Sequence, residues 1–343
     1  MASQNRTNLG KERIQIREES DYPHPQIDII MITYNSEDTV AKCLNSVLQQ
    51  TYPHDKLRVI IVDNSSKDNT INIIEKISLG YIPKKVISLK HNIGFAKAVK
   101  IALRFSNTKY VFLLNPDATP PPNYLALLVK VLAQQPTLGI IEGLIVKDSI
   151  VISDGAFFDP LTGFDWSPCW KSHLSVYKGK FIEIRDYAPL TAALVRRDLL
   201  ELLDEHFFLY NEDLDLALCA RQRGYYCAVI LKAYAEHKIE LRKRKLSELR
   251  VYNHVKGRLY LLWKNLPYPF LLTSFFLWSI ILPLTLFFIN RKLARASILA
   301  IAHFFKEEKA RKSQRKCKVT LPIRTLAALK NIVKHMAYGG HIW

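Results

Sequence analysis

Three carboxylates, Glu212, Asp213 and Asp215, fall within the stretch Phe207–Tyr225, FFLYNEDLDLALCARQRGY, where an apolar aromatic run gives way to helical spacing. The acids therefore stand at a predicted helix start. The macrodipole favours negative charge there, while Arg221 and Arg223 suit the last turn and Gly224 suits the stop. Two readings fit. As helix-start charges the acids need no further role. As a general base, one of them gains from the bulky apolar groups beside it, because a carboxylate that loses hydration has a raised pKa and takes protons more readily. A second polar set, Thr33, Tyr34, Asn35, Asp63, Asn64, Asn92, Gly94, Asn115 and Asp117, recurs after four separate apolar runs. An Asp at a strand end can accept from a base N–H or a ribose hydroxyl. Asp117, in an Asn-Pro-Asp turn, can hold a hard divalent cation, Mg2+ or Mn2+, with diphosphate oxygens and water filling the other positions. Together these suggest a nucleotide diphosphate as ligand.

The elements that must carry these residues repeat. IDIIMIT from Ile27, LRVIIV, KVISL and YVFLL read as buried strands. Each runs into polar residues and then an amphipathic helix: Val40, Cys43, Leu44, Val47 and Leu48 share one face, and Ala98, Ile101, Ala102 and Phe105 another. Ser36 reads as a cap for the first helix. Continuous apolar strands alternating with such helices predict a parallel sheet covered on both faces. The second polar set then shares the carboxyl edge, where open α/β sheets bind ligands. Turn formation alone accounts for any one of these residues, and less well for four clusters in succession. Neither G-x-G-x-x-G nor G-x-x-x-x-G-K-[ST] occurs, which disfavours a dinucleotide fold and a P-loop.

The chain has 343 residues and a net charge of +18. Lys and Arg balance Asp and Glu at 27 each through residue 237, whereas residues 238–343 hold 22 against 4. The basicity thus belongs to an appendage. Leu266 to Ile289 runs without a charge, long enough to span a bilayer, but both flanks are basic and Pro267, Pro269 and Pro283 interrupt it. The expected partner is a membrane surface on the cytosolic side, met by interfacial or re-entrant helices whose lysines and arginines contact anionic headgroups. A single span and a homodimer interface are the alternatives. Basic residues with Trp263, Tyr252 and Tyr260 also fit nucleic acid, but the long apolar run favours lipid and no nucleic-acid fold signature is present, so no nucleic-acid partner is expected. Five widely spaced cysteines without a C-x-x-C pair predict reduced thiols. Residues 1–25 read as a flexible polar tail without a signal segment. Between Ser149 and Asp186 the aromatic residues Phe157, Phe158, Phe164, Trp166, Trp170 and Tyr177 could form an acceptor-binding lobe or a small satellite core.

The segment from Ile27 to about His237 resembles a family 2 glycosyltransferase of the GT-A fold, in the rhamnosyltransferase-like subgroup. TYNSED, VDNSSKD, NIGFAKA, LLNPDA, LVRRD and FFLYNEDLDLALCARQRGY carry the resemblance, in order. It implies a GT-A domain at 26–240, Rossmann-like and specific for nucleotide-diphospho-sugars, and the basic, apolar remainder at 241–343 is read from its composition as a helical membrane-associated region. It implies inverting transfer of a sugar from a nucleotide-sugar donor to a glycan or lipid-linked saccharide acceptor. Asp63 would contact the base, Thr33, Tyr34 and Asn35 with Asn64 would line the nucleotide pocket, and Asn92, Gly94 and Asn115 would flank the donor. Asp213, with Glu212 beside it, would be the general base, and Asp117 the metal acid of a degenerate D-x-D motif. His237 would join the metal shell or stand as a surface loop residue. Lys97 and Lys100 replace a small residue and an asparagine, and PLTAA replaces a glycine-alanine pair before LVRR, leaving the acceptor wall open. Asn115 replaces the first D-x-D acid, which keeps a catalytically quiet membrane scaffold as the rival reading.

Overall fold

The computed structural model describes residues 24–177, 181–238 and 247–311. Most of the expected tail, the boundary at 240/241 and the basic cluster beyond residue 311 lie outside the described residues. In chain order the elements are β1 (Ile27–Thr33), α1 (Val40–Leu48), β2 (Leu57–Asp63), α2 (Thr70–Lys76), β3 (Lys84–Ser88), α3 (Phe95–Leu103), β4 (Tyr110–Leu114), β5 (Ala118–Thr119), α4 (Tyr124–Gln134) and β6 (Leu138–Lys147). There follow β7 (Ile150–Ser153), β8 (Phe157–Phe158), β9 (Asp165–Trp166), β10 (Ile182–Arg185), β11 (Ala192–Arg196), α5 (Arg197–Leu200), α6 (Glu212–Gln222) and β12 (Tyr226–His237). The C-terminal part is α7 (Glu248–Asn265), α8 (Tyr268–Phe276), a π turn, α9 (Leu282–Ile289) and α10 (Arg291–Arg311).

The main sheet runs β10-β12-β6-β11-β4-β1-β2-β3. Its apolar runs are continuous because alternate side chains enter different cores. Ile27, Ile29, Met31, Val59 and Ile61 pack with α1 and α4, while Ile30, Ile60, Val62, Val111 and Leu113 pack with α3 and α6. The four strands β3, β2, β1 and β4 are parallel, as their sequences predict. The rest corrects that prediction. β11 is antiparallel to both β4 and β6, and β10 is antiparallel to β12, so the sheet is mixed. A strand buried on both faces looks the same in sequence whichever way it runs.

Ser36 does not cap the first helix. The N-cap is Thr39, whose side chain accepts no N–H of the helix, while Ser36 donates its N–H to Thr70 Oγ1 at 2.7 Å and ties the β1 loop to α2. The aromatic region packs as a core: Phe158 is buried with α7, Phe164 lies against Trp278, and Trp166 pairs with Phe157.

The C-terminal region is fused to the α/β body. α6 is buried around its whole circumference from Leu214 to Ala220, lying between the sheet and α7. At that contact Asp215 is fully buried and accepts from Lys264 Nζ (2.6 Å) and Asn265 Nδ2 (2.9 Å) of α7. Lys264 also reaches Asp204 at 2.9 Å. The third acid of the α6 start is therefore a structural anchor. Three basic residues of this region thus have partners within the protein: Arg258 and Lys264 are buried in ion pairs with Asp165, Asp204 and Asp215, and Lys256 pairs with Glu307.

Candidate active site

The loop after β1 and the loop after β2 are knitted together at the carboxyl edge. Asp63 accepts from Thr33 Oγ1 (2.9 Å), from Ser66 N (2.8 Å) and from Ser66 Oγ. Asn35, in the left-handed region at φ 49°, accepts from Lys67 N at 2.8 Å and donates its own N–H to Ser66 Oγ at 2.9 Å. Both Asp63 oxygens are thus engaged in holding the two loops together, and Tyr34 stands half exposed. Asn64 is buried, accepting from Ile93 N at 2.9 Å, and Asn92 Oδ1 accepts from Gly94 N at 3.0 Å. The two asparagines fix the loop that enters α3.

Gly94 has a specific reason to be glycine. Its φ is +86°, and a Cβ there would lie 2.5 Å from Phe208 O. The close approach lets Phe95 N donate to Phe208 O at 3.1 Å, which pins the run leading to Asp213 against the start of α3. Gly94→Ala is expected to cost about 1–3 kcal/mol from backbone strain alone. Thermal unfolding would measure it, and turnover should fall as well because the Asp213 loop is displaced. Of the two family departures in α3, Lys97 is exposed and Lys100 pairs with Glu205 at 3.7 Å.

Asp117 and His237 meet through a β ladder. β5 pairs antiparallel with β12 so that His237 opposes Ala118, and Lys238 N donates to Asp117 O at 2.9 Å. His237 Nε2 lies 2.9 Å from Asp117 Oδ1, yet neither buried ring nitrogen makes an aligned hydrogen bond. A buried imidazole without hydrogen bonds, facing a carboxylate, is a donor pair that suits a divalent cation. Among the described residues no third His, Cys, Asp or Glu joins them, so other ligands would have to come from diphosphate or water.

Tyr210 and Asn211, both left-handed at φ 71° and 72°, turn the chain into α6 and bring Glu212 and Asp213 to the wall of a cavity of about 460 Å3. Asn115, Thr191 and His237 line the same cavity. Burial raises the pKa of Asp213, with Asp165 adding to the shift while the Leu214 N–H and Arg258 oppose it. Burial and then Asp213 push Glu212 up as well. The two acids cannot both ionise cheaply, so one proton is retained between them near neutrality. Beneath this wall, burial pushes Glu142 up to about 8, and its Oε1 accepts from Ala192 N at 2.6 Å, which holds the PLTAA segment.

Sequence reasoning missed one part of the lining. Arg250, His254 and Arg258 of α7, with Asp165 and Tyr187, line the same cavity as Asp213. The three α7 residues are spaced i, i+4, i+8, one helical face, and that polar stripe was the signal that could have found them. Asp165 is held below the usual carboxylate range: burial would raise it, but Arg258 and the Tyr187 hydroxyl outweigh burial. Burial, then Arg258, pushes His254 down to about 3, so its imidazole is neutral at physiological pH. α7 approaches closely at Gly257, where a Cβ would stand 2.9 Å from Asn211 Nδ2, and Asn211 Nδ2 donates to His254 O at 3.3 Å. The α7 wall therefore bears directly on the turn that presents Asp213.

The mixed α/β sheet, with its polar carboxyl edge and a facing acid at a helix start, has the GT-A fold. Residues 28–151 match glycosyl transferase family 2; the match covers the sheet edge through Asp117 and stops short of Asp213 and His237. No curated protein sequence matches the chain. Among solved structures, GalNAc-T7 with UDP, GalNAc and Mn2+ aligns at TM-score 0.57 and 16% identity, over 69% of this chain and 48% of that one. The mannosyltransferase PcManGT from Pyrobaculum calidifontis, in complex with GDP-Man and Mn2+, aligns at TM-score 0.54 and 19% identity, over 96% of this chain and 84% of that one. TarS 1-349 from S. aureus, in complex with UDP-GlcNAc, aligns at TM-score 0.50 and 19% identity, over 82% and 81%.

Proposed function

We propose that the protein is an inverting glycosyltransferase that moves a hexosyl or deoxyhexosyl group from a UDP- or dTDP-linked sugar to a hydroxyl of a cell-surface glycan or lipid-linked saccharide, at the cytoplasmic face of the membrane. The observation that carries the reading is that Asp213, Asn115 and His237, the last beside Asp117, line one cavity. One end suits a proton acceptor and the other a leaving diphosphate. Asp213, with its raised pKa, takes the proton from the acceptor hydroxyl. That oxygen forms the new bond to the anomeric carbon on the face opposite the diphosphate, and the old C–O electron pair leaves with the diphosphate. A divalent cation held by Asp117 and His237 would offset the charge growing on that leaving group. The loops at Thr33–Asn35, Asp63–Ser66 and Asn92–Gly94 hold the nucleotide, and the α7 residues line the cavity where the acceptor enters.

A thermal-shift series with UDP, dTDP, GDP and CDP, with and without Mn2+, tests the donor half. A ligand that binds only the folded chain at a hundredfold excess over its Kd adds about 2.7 kcal/mol. We expect one nucleotide to stabilise the protein in a Mn2+-dependent way, and Asp117→Asn to abolish the Mn2+ dependence while leaving the fold intact. A metal-independent shift unaffected by Asp117→Asn would remove the cation from the reading.

A further inference from the structure

The helix running from Tyr268 to Ile289 is 22 residues long and apolar enough to cross a bilayer by length and composition. Its two faces differ. Leu271, Ser274, Trp278, Leu282 and Leu286 are buried along its whole length. Trp278 Nε1 donates to Thr162 O at 3.1 Å, and its ring stacks on His254 at 5.7 Å. The opposite face, at four-residue spacing, carries Leu272 (67% exposed), Phe276, Ile280, Leu284 and Phe288 (85% exposed). A contiguous exposed apolar ridge of this kind marks an interaction surface.

The inner stripe argues against a span. Were this helix to cross a bilayer, the groups packed behind it would sit at the same depth, and these include Arg258, Asp165 and His254 of the cavity wall. Ionised groups at membrane depth are costly. The charge pattern names the partner. No Asp or Glu occurs from Leu249 to Lys306, and exposed Arg291, Lys292 and Arg295 follow the ridge directly. A ridge with a basic collar and no acid suits an anionic lipid surface, which would repel an acidic rim.

We propose that Tyr268–Ile289 lies in the plane of an anionic membrane, with Leu272, Phe276, Ile280, Leu284 and Phe288 in the acyl boundary and Arg291, Lys292 and Arg295 among the headgroups. The catalytic cavity is then one ring stack, Trp278 on His254, from the lipid-facing helix, and its acceptor is membrane-borne. This last clause rests on the transfer reading above; the docking geometry does not.

The test uses the full chain on phosphatidylcholine vesicles with and without phosphatidylglycerol. Nitroxide labels are placed singly at 272, 280 and 288 in a Cys169→Ser, Cys317→Ser background, and label depth is read by power saturation. In-plane docking places all three at one depth, within about one helical pitch of 5.4 Å, whereas a span separates 272 from 288 by about 24 Å at 1.5 Å per residue. Phosphatidylglycerol should strengthen vesicle binding at least tenfold, and Leu284→Asp with Phe288→Asp should reverse it without lowering Tm. A graded depth overturns the proposal in favour of a span. Labels that stay out of lipid, with the Asp variant turning a dimer into a monomer, overturn it in favour of a second copy of the chain. None of these readouts requires turnover, so failure of transfer and failure of docking are separable.

Discussion

Asp213→Asn is expected to lower the turnover number by about 10²–10⁴-fold, the usual contribution of a positioned general base, while Tm at pH 8 stays level or rises. The two effects share one cause. Asp213 and Glu212 are adjacent, half-buried acids, and both have raised pKa values. A carboxylate whose folded pKa exceeds its unfolded value of about 3.9 binds its proton more tightly when folded. Its penalty is absent below pH 4 and grows as pH rises through the folded value, so it costs stability at neutral pH. The amide removes that cost and the proton acceptor together. Wild-type activity should accordingly climb as pH rises through a value well above that of an ordinary Asp, and Asp213→Asn should flatten the climb. Turnover against pH, with Tm at pH 5 and pH 8 for both proteins, measures both. A variant that loses activity only in proportion to lost stability would make Asp213 a structural acid like Asp215.

Lys264→Ala is expected to be the most destabilising single change, at about 3–5 kcal/mol, because removing one partner of a buried ion pair leaves the others charged without compensation. Lys264 joins α7 to α6 through Asp215 and to the preceding loop through Asp204. Burial would lower its pKa, but the two aspartates keep it charged. Adding Asp215→Asn to Lys264→Ala should recover part of the loss, since a coupled pair is non-additive. Denaturant unfolding of the two single variants and the double variant measures this. Additive losses would mean that α7 is held by its apolar face alone.

The polar edge formed by the loops after β1, β2, β3 and β4 was legible in sequence, and the α7 face of the cavity was not. Thr33, Asp63, Asn92 and Asp117 each follow a short apolar run, and the local rule that strand ends of an α/β sheet gather ligands brings them to one edge. Asp117 and His237 are 120 positions apart, but each lies beside a recognisable strand, so a β ladder could join them. Gly94 is different. Its need for φ +86° is local, while the reason for it, the backbone of Phe208, is more than a hundred residues away and leaves no mark in NIGFA. The direction of β11 was hidden because AALV is equally apolar read either way. The basic stretch of α7 misled for a related reason: Arg258 and Lys264 have the composition of a headgroup-binding surface, and only their partners Asp165, Asp204 and Asp215 reveal that they are interior.

The direct test is proton NMR of the full-length protein incubated with nucleotide sugars, an isolated lipid-linked saccharide fraction and Mn2+. We predict that one donor is consumed, its nucleoside diphosphate is released, and the new anomeric signal has the configuration opposite to the donor's, with all three changes lost in Asp213→Asn. Product that retains the donor's configuration, or equal consumption by Asp213→Asn, would contradict a single displacement with Asp213 as its base.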